Sequence, residues 1–203
     1  IIFEPTNKLV MVGCLTDTGN EYLFRMDTGG TQHIDIQDLL DRATILIGHN
    51  IVHDLLWLWE SGFKYDGAVF DTMLGEYVLQ RGMKEPLSLE ACAERYNLDT
   101  KKQDTLKKYF AEGKGVDEIP KEELREYLSA DLHATQQLCD KIYKKLNTQE
   151  YSSLMNSVFM SNRVAVILAR IYQKGFKVDM ETLNNVKQEF EKEKQELEDK
   201  LNK

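Results

Sequence analysis

The first half of the chain alternates short apolar runs with polar turns, which is typical of strands joined to short helices. The pattern predicts strands at 1–3, 9–15, 21–26, 44–48 and 68–70 and helices at 34–42, 51–60 and 72–80. Hairpin-like strands come first, and β-to-α units follow them. We therefore predict an α/β fold with one mixed sheet flanked by helices.

The second half of the chain is almost entirely helical in pattern from residue 88 onward. A helix is predicted from 121 to about 147, because Pro120 stands at its start and acidic residues fill its first turn. Beyond residue 148, apolar positions repeat at helical spacing through two stretches separated by a break at Lys174 and Gly175. We predict two domains, an α/β domain at 1–147 and a long helical hairpin at 148–203.

The charge balance narrows the candidate functions. The 203 residues carry 26 basic and 34 acidic side chains, a formal net charge of −8. This disfavours a simple electrostatic binder of nucleic acid, which normally has a basic face. An enzyme that acts on nucleic acid stays possible, because clustered carboxylates that hold divalent cations can bind phosphate. No apolar run approaches the roughly 18 residues of a membrane span, so we expect no membrane partner.

The start of the chain and its cysteines indicate its setting. The chain begins without Met and without a signal-peptide pattern, which we interpret as a fragment of a longer protein. Cys14, Cys92 and Cys139 are widely spaced without a metal-ligand pattern, so we interpret them as reduced, small hydrophobic residues. Reduced thiols favour the cytoplasm or an organelle interior over secretion.

A first candidate for chemistry lies where the predicted buried strand 44–48 ends and the next helix begins. Asp54 stands one turn into that helix, near the carboxyl end of the strand, where open α/β sheets bind ligands. The alternative interpretation is that Asp54 is a first-turn acid favoured by the helix dipole. At this spacing the two interpretations are equally good.

A second candidate is the pair Tyr127 and Asp131, inside the predicted helix 121–147. Residues four apart lie on one face of a helix, so the phenol and the carboxyl point into the same space. Asp131 stands beside the apolar stripe of that helix, where an ionised acid is costly unless it is paired or metal-bound. If the reaction is phosphodiester hydrolysis, two divalent cations held by such oxygen ligands clamp the scissile phosphate.

Taken together in this order, the motifs resemble a known family. Residues 48–50 with Asp54, then 69–74, then Tyr127 and Asp131, look like the proofreading 3′–5′ exonuclease domain of family A DNA polymerases. The resemblance extends to residues 87–96 and to residues 169–179, which look like the start of the polymerase thumb.

The resemblance implies an RNase H-like fold whose site contains four carboxylates and a tyrosine and uses two divalent cations, Mg²⁺ or Mn²⁺. It implies that Asp54 and Asp131 are catalytic metal ligands and that Tyr127 positions the nucleophilic water. It also implies that His49 and Asn50 bind substrate. The implied reaction is the removal of mispaired 3′-terminal nucleotides. The implied partners are DNA with a single-stranded or frayed 3′ end and the remainder of the polymerase chain.

The chain departs from the family at the first motif. The family has Asp-x-Glu at the end of the opening strand, whereas this chain has only Glu4 as a candidate ligand, followed by Pro5 and Thr6. Either the acidic pair has been lost or its residues are missing from this stretch. Asp71 matches a family position outside the catalytic set, so we expect it to be structural.

Three functions therefore stay open. The first is an active exonuclease module of a DNA polymerase. The second is a degenerate exonuclease fold that serves as a scaffold or guides DNA. The third is a stand-alone or RNA-directed exonuclease, which the thumb-like helices disfavour.

Overall fold

The computed structural model describes residues 2–4, 7–26, 31–98, 106, 108–109 and 111–201. It divides the chain into two compact units, one up to Arg170 and one from Ile171 onward. All of the predicted site residues belong to the first unit, so the fold of this unit positions the candidate site.

The strands of the first unit form two small sheets. They are β1 (Met11–Leu15), β2 (Glu21–Arg25), β3 (Ile45–Gly48) and β4 (Ala68–Asp71). β1 and β2 pair antiparallel, whereas β3 and β4 pair in parallel with Gly48 opposite Asp71. Among the described residues no pairing joins the two sheets, so the prediction of one mixed sheet was wrong in this respect.

The helices occupy nearly the predicted positions. They are α1 (Gln32–Arg42), α2 (Ile51–Glu60), α3 (Thr72–Leu79), α4 (Leu89–Arg95), α5 (Lys121–Leu146), α6 (Met155–Lys174) and α7 (Met180–Leu201). Short 3₁₀ turns lie at Val116–Glu118 and Ser152–Leu154. The match follows from local periodicity, because the amphipathic helices α1 to α6 turn apolar side chains to the core.

The strand predicted at residues 1–3 is absent. Ile2 and Phe3 lie in a turn, and Ile1 lies outside the described residues. The Asn7 N–H donates to the Glu4 carbonyl at 3.0 Å. Residues 5–6, on which the question of missing acids depends, also lie outside the described part of the chain.

Helix α5 connects the two sheets by packing against β1, β2 and β3. At the contact with β1, a Cβ on residue 13 would lie 2.8 Å from Leu128 Cγ and 2.9 Å from Leu132 Cδ1, so only glycine fits there. The other end of α5 buries Leu138, Ile142 and Leu146 in a second core cluster. The two sheets are thus joined by packing against helix α5, whereas the sequence predicted that they form one continuous sheet.

The end of the first unit differs from the predicted domain boundary at 147. Helix α6 buries Val158, Asn162, Ala165 and Ala169, and the compact unit continues to Arg170. These positions recur every three or four residues, so one face of the helix packs on the body. The second unit contains α7, which has no buried residue and exposes an apolar stripe that includes Leu183, Phe190 and Leu197.

The residues Ser152–Lys174 are long and apolar enough to cross a membrane by length and composition, which the run-length argument had not indicated. One such helix is weak evidence of a membrane protein, because core helices pass the same test. Here part of the apolar content is explained by the face of α6 that packs in the first unit.

Candidate active site

The carboxyl ends of the parallel strands form the first part of the site. Gly48 and Asp71 end β3 and β4 side by side, and α2 and α3 begin directly after them. Between β3 and α2 the chain passes through Asn50, which has a left-handed backbone (φ 63°, ψ 49°) and an exposed side chain. Helix starts at the ends of parallel strands are the usual ligand position of α/β folds.

One buried carboxylate holds both helix starts together. Asp71 is 1% exposed and accepts the N–H groups of Asn50 at 2.9 Å and Ile51 at 3.1 Å from α2. It also accepts those of Met73 at 2.9 Å and Leu74 at 3.4 Å from α3. Charge-assisted bonds of this kind satisfy the free N–H groups of a helix start. Asp71 is therefore the N-cap residue of α3, and its carboxylate also caps the start of α2.

Asp54 lies beside Gly48. A Cβ on residue 48 would lie 3.3 Å from Asp54 Oδ2 and would overlap Ile51 Cδ1, so glycine is required for this approach. Solvent reaches Asp54, but the protein atoms packed around its carboxyl exclude much of the water. This desolvation, together with the negative charge of Asp71, raises the pKa of Asp54 from 3.8 to about 7. We refer to Gly48, Asn50, Asp54 and Asp71 as the strand-end cluster.

The His49 ring is bound inside the protein. Its Nδ1 lies 2.9 Å from Thr72 Oγ1, and its Nε2 lies 2.7 Å from the Leu87 carbonyl oxygen. The Thr72 hydroxyl in turn donates to the Gly48 carbonyl at 3.0 Å. Burial lowers the pKa of His49. A substrate contact through a ring nitrogen, as predicted, would have to replace one of these bonds.

The second part of the site is the predicted pair on α5, which the structure brings together. Tyr127 and Asp131 are half-buried, and the phenol and the carboxyl lie close enough to shift each other's pKa. Burial, then the charge and hydrogen bond of Asp131, raise the pKa of Tyr127. Burial also raises the pKa of Asp131, while the hydrogen bond from Tyr127 acts in the opposite direction. We refer to these two residues as the helix pair.

Glu4 lines the wall of a cavity. This cavity of about 520 Å³ is also lined by Lys8, Trp57 and others, and none of the other predicted site residues lines it. The Glu4 side chain is exposed. Glu4 thus shares a cavity with Trp57, a residue of the helix α2 that bears Asp54.

Comparison with known proteins identifies the family of this arrangement. The model of the 3′–5′ exonuclease family of the DNA polymerase A type matches residues 9–147, which include both parts of the site. The chain belongs to this exonuclease family. The match covers the strand-end cluster and the helix pair but not Glu4.

The exonuclease domain is also similar to segments of two bacterial polymerases. It is 27% identical over 142 residues to DNA polymerase I of Synechocystis sp., which covers 70% of this chain and 14% of that protein. It is 28% identical over 145 residues to DNA polymerase I of Bacillus subtilis, covering 70% of this chain and 16% of that protein. The chain therefore spans a small part of the length of these relatives.

Exonuclease domains of this family typically use divalent metal ions. The carboxyl oxygens of Asp54 and Asp131 are the donors that Mg²⁺ and Mn²⁺ prefer, so their chemistry fits such an ion. Two carboxyls are fewer ligands than such a site needs, and the described residues contain no group of three or more His, Cys, Asp or Glu that could hold a metal. The charge acting on Asp54 is that of Asp71, and the group acting on Asp131 is Tyr127, so the two carboxyls belong to different clusters.

Two contributions to the exonuclease site escaped the sequence reasoning. The capping role of Asp71 had a local signal, because an Asp directly before a helix is a common N-cap. Its hydrogen bonds to the start of α2 had no local signal, because the donors lie 20 and 21 positions away in the sequence. Asn162 is the other, and its only signal is a polar residue within the otherwise apolar face of α6.

Proposed function

We propose that the exonuclease domain hydrolyses the 3′-terminal phosphodiester of DNA, as the proofreading module of a DNA-directed DNA polymerase. The observation that carries the proposal is the half-buried, electrostatically coupled pair of Tyr127 and Asp131 within the family match. A phenol and a carboxyl that share a half-buried helix face supply an oriented hydrogen-bonding group and a ligand oxygen at one place.

Asp54 and Asp131 are the proposed ligands of the divalent cations. When bound, two such cations stabilise the charge on the attacking and leaving oxygens of a phosphodiester. The surroundings of Asp54 support this assignment, because its carboxyl is desolvated and is repelled by the charge of Asp71. A nearby positive charge would offset that repulsion.

Tyr127 is proposed to position the attacking water. Its raised pKa keeps the phenol neutral at physiological pH, so it cannot serve as the base that removes a proton from water. A neutral phenol can both donate a hydrogen bond, to an acceptor such as the nearby Asp131 carboxyl, and accept one from a water molecule. Tyr127 thus orients the water while Asp131 fixes Tyr127.

Asn50 is the proposed substrate contact of the strand-end cluster. Its side chain is exposed, and its backbone N–H is already held by Asp71. The amide group can therefore bind a nucleotide without breaking a bond of the fold. We expect stacking of unpaired bases and contacts to the sugar–phosphate backbone to dominate recognition, which gives little sequence preference.

Residues 148–203 are proposed to lead into the thumb of the polymerase. The exposed apolar stripe of α7 fits a helix that packs against further polymerase residues. The remainder of the polymerase chain is accordingly the proposed partner.

A degenerate exonuclease fold is the second candidate. The observation that favours it is the absence of a three-ligand metal group among the described residues. In this case the domain keeps its shape and guides DNA without cutting it.

A degradation assay distinguishes the two candidates. A 5′-labelled single-stranded DNA is incubated with the 203-residue chain in Mg²⁺, in Mn²⁺ and in excess chelator. The nuclease proposal predicts cation-dependent shortening from the 3′ end, and its loss in the double variant Asp54→Asn/Asp131→Asn. DNA binding without shortening in either cation would refute the nuclease proposal and support the scaffold.

A further inference from the structure

Asn162 is a polar side chain in the core, where polar groups are rare unless they are bonded. It lies on α6 and is 2% exposed. Its Oδ1 accepts the backbone N–H of Asp71 at 2.6 Å, and its Nδ2 donates to the Val158 carbonyl of its own helix at 2.8 Å. Both ends of the amide are thus used, one by the helix and one by the end of β4.

The contact fixes the last residue of a short strand. β4 has only four residues, and Asp71 is paired with Gly48 at its end. A buried N–H without an acceptor costs free energy, so the Asp71 backbone stays where the Asn162 oxygen is. The acceptor comes from 91 positions further along the chain.

Asp71 links Asn162 to the candidate site. Its backbone is held by Asn162, while its carboxylate holds the N–H groups of Asn50 and Ile51. These residues start α2, and Asp54 lies on the first turn of α2. A displacement of Asp71 therefore displaces the start of the helix that bears Asp54.

We infer that Asn162 is a positioning residue of the exonuclease site, which acts on Asn50 and Asp54 through Asp71. This inference rests on the proposed function for its effect on catalysis. Its structural part, the control of the α2 start from α6, does not depend on that function. A purely structural Asn162 would affect global stability without a selective effect at the start of α2.

The test compares three variants of the 203-residue chain. Asn162→Leu has a similar volume and removes the acceptor. Asn162→Asp keeps an oxygen for the Asp71 N–H but loses the donor to Val158. Gln80→Leu is the control, because Gln80 is 4% exposed and also bonds backbone groups, the N–H and carbonyl of Glu85.

Amide hydrogen exchange by NMR is the first readout. In Asn162→Leu we expect the Asn50 and Ile51 amides to exchange at least about tenfold faster, relative to the other amides of the same variant. In Asn162→Asp we expect these two amides to stay close to wild type although the variant melts at a lower temperature. Equal relative exchange at Asn50 and Ile51 in Asn162→Leu and Gln80→Leu would overturn the inference.

Steady-state degradation of single-stranded DNA, at a temperature where every variant is folded, is the second readout. We expect Asn162→Leu to lower kcat about tenfold or more with little change in KM, and Gln80→Leu to change neither. If the wild-type chain degrades no DNA, the proposed function fails, and the exchange of Asn50 and Ile51 still decides the structural part. If the Asn162→Leu variant does not fold, Asn162→Ala, which also removes the acceptor, is compared with Gln80→Leu in the same way, and equal relative exchange at Asn50 and Ile51 would overturn the inference.

Discussion

The two carboxyls proposed as metal ligands have the same direction of pKa shift for different reasons. In the strand-end cluster, desolvation of Asp54 is reinforced by the negative charge of Asp71. In the helix pair, desolvation of Asp131 is opposed by the hydrogen bond from Tyr127. Asp54 is therefore an acid beside an acid, whereas Asp131 is an acid beside a neutral donor.

The two regions therefore differ in how much they depend on a bound cation or proton. The strand-end cluster holds like charges close together, which favours either a proton on Asp54 or a cation nearby. In the helix pair the neutral phenol of Tyr127 instead favours the charged form of Asp131. We therefore expect loss of Asp131 to act on activity and loss of Asp54 to act on both activity and stability.

The largest expected effect is that of Asp131→Asn. An amide cannot replace a carboxylate as a cation ligand, so we expect 3′–5′ degradation to fall by about 10³-fold or more. The rate of shortening of a labelled single-stranded DNA measures this. Asp140→Asn is the control, because Asp140 is an exposed acid on the same helix. Wild-type activity in Asp131→Asn would remove Asp131 from the site.

Tyr127→Phe is expected to be milder. It removes the orienting hydroxyl but leaves the carboxylates, and a loss of positioning costs on the order of 10²-fold. The hydroxyl of Tyr127 lowers the pKa of Asp131, so its removal should raise that pKa further and move the acid limb of the pH–rate profile to higher pH. Tyr143→Phe, on the exposed side of α5, is the matched control. An unshifted acid limb would mean that Tyr127 does not act on Asp131.

Gly48→Ala tests the packing of the strand-end cluster. The added methyl group would overlap Ile51 Cδ1 and crowd Asp54 Oδ2, which we expect to lower the free energy of unfolding by about 1–3 kcal/mol. Chemical denaturation measures the change. Ile51→Val removes Cδ1, so adding it to Gly48→Ala should restore part of the lost stability. A double variant that is no more stable than Gly48→Ala would show that Ile51 is not the obstacle.

The smallest expected effect is the pH-dependent difference in stability between wild type and Asp54→Asn in cation-free buffer. The folded pKa of about 7 lies above the ordinary 3.8, so the folded state binds the extra proton between these values. The stability that this proton contributes is complete below pH 3.8 and is lost as the pH rises through about 7.

Asp54→Asn removes this loss. The variant should therefore melt above wild type at pH 8, by a few degrees for about 1 kcal/mol, since solvent screens the partly exposed carboxyl. The difference should shrink towards pH 4. Added Mg²⁺ should raise the melting temperature of wild type but not of Asp54→Asn. A difference that does not depend on pH would contradict the charge repulsion between Asp54 and Asp71.

The sequence by itself determined the local parts of this protein. Apolar spacing determined α2 and α5, because helix formation depends on neighbours three and four residues apart. The same rule placed Tyr127 and Asp131 on one face, and their mutual effect on pKa follows from that spacing. The position of Asp54 on the first turn of α2 was equally local.

Only the tertiary structure decided the rest. The two separate sheets, the internal partners of His49 and the reach of Asn162 to Asp71 depend on contacts between distant residues. A sequence pattern shows which residues are apolar but not which distant backbone group needs an acceptor. For the same reason the sequence assigned Asp71 a structural role without showing that its one carboxylate joins the starts of two helices.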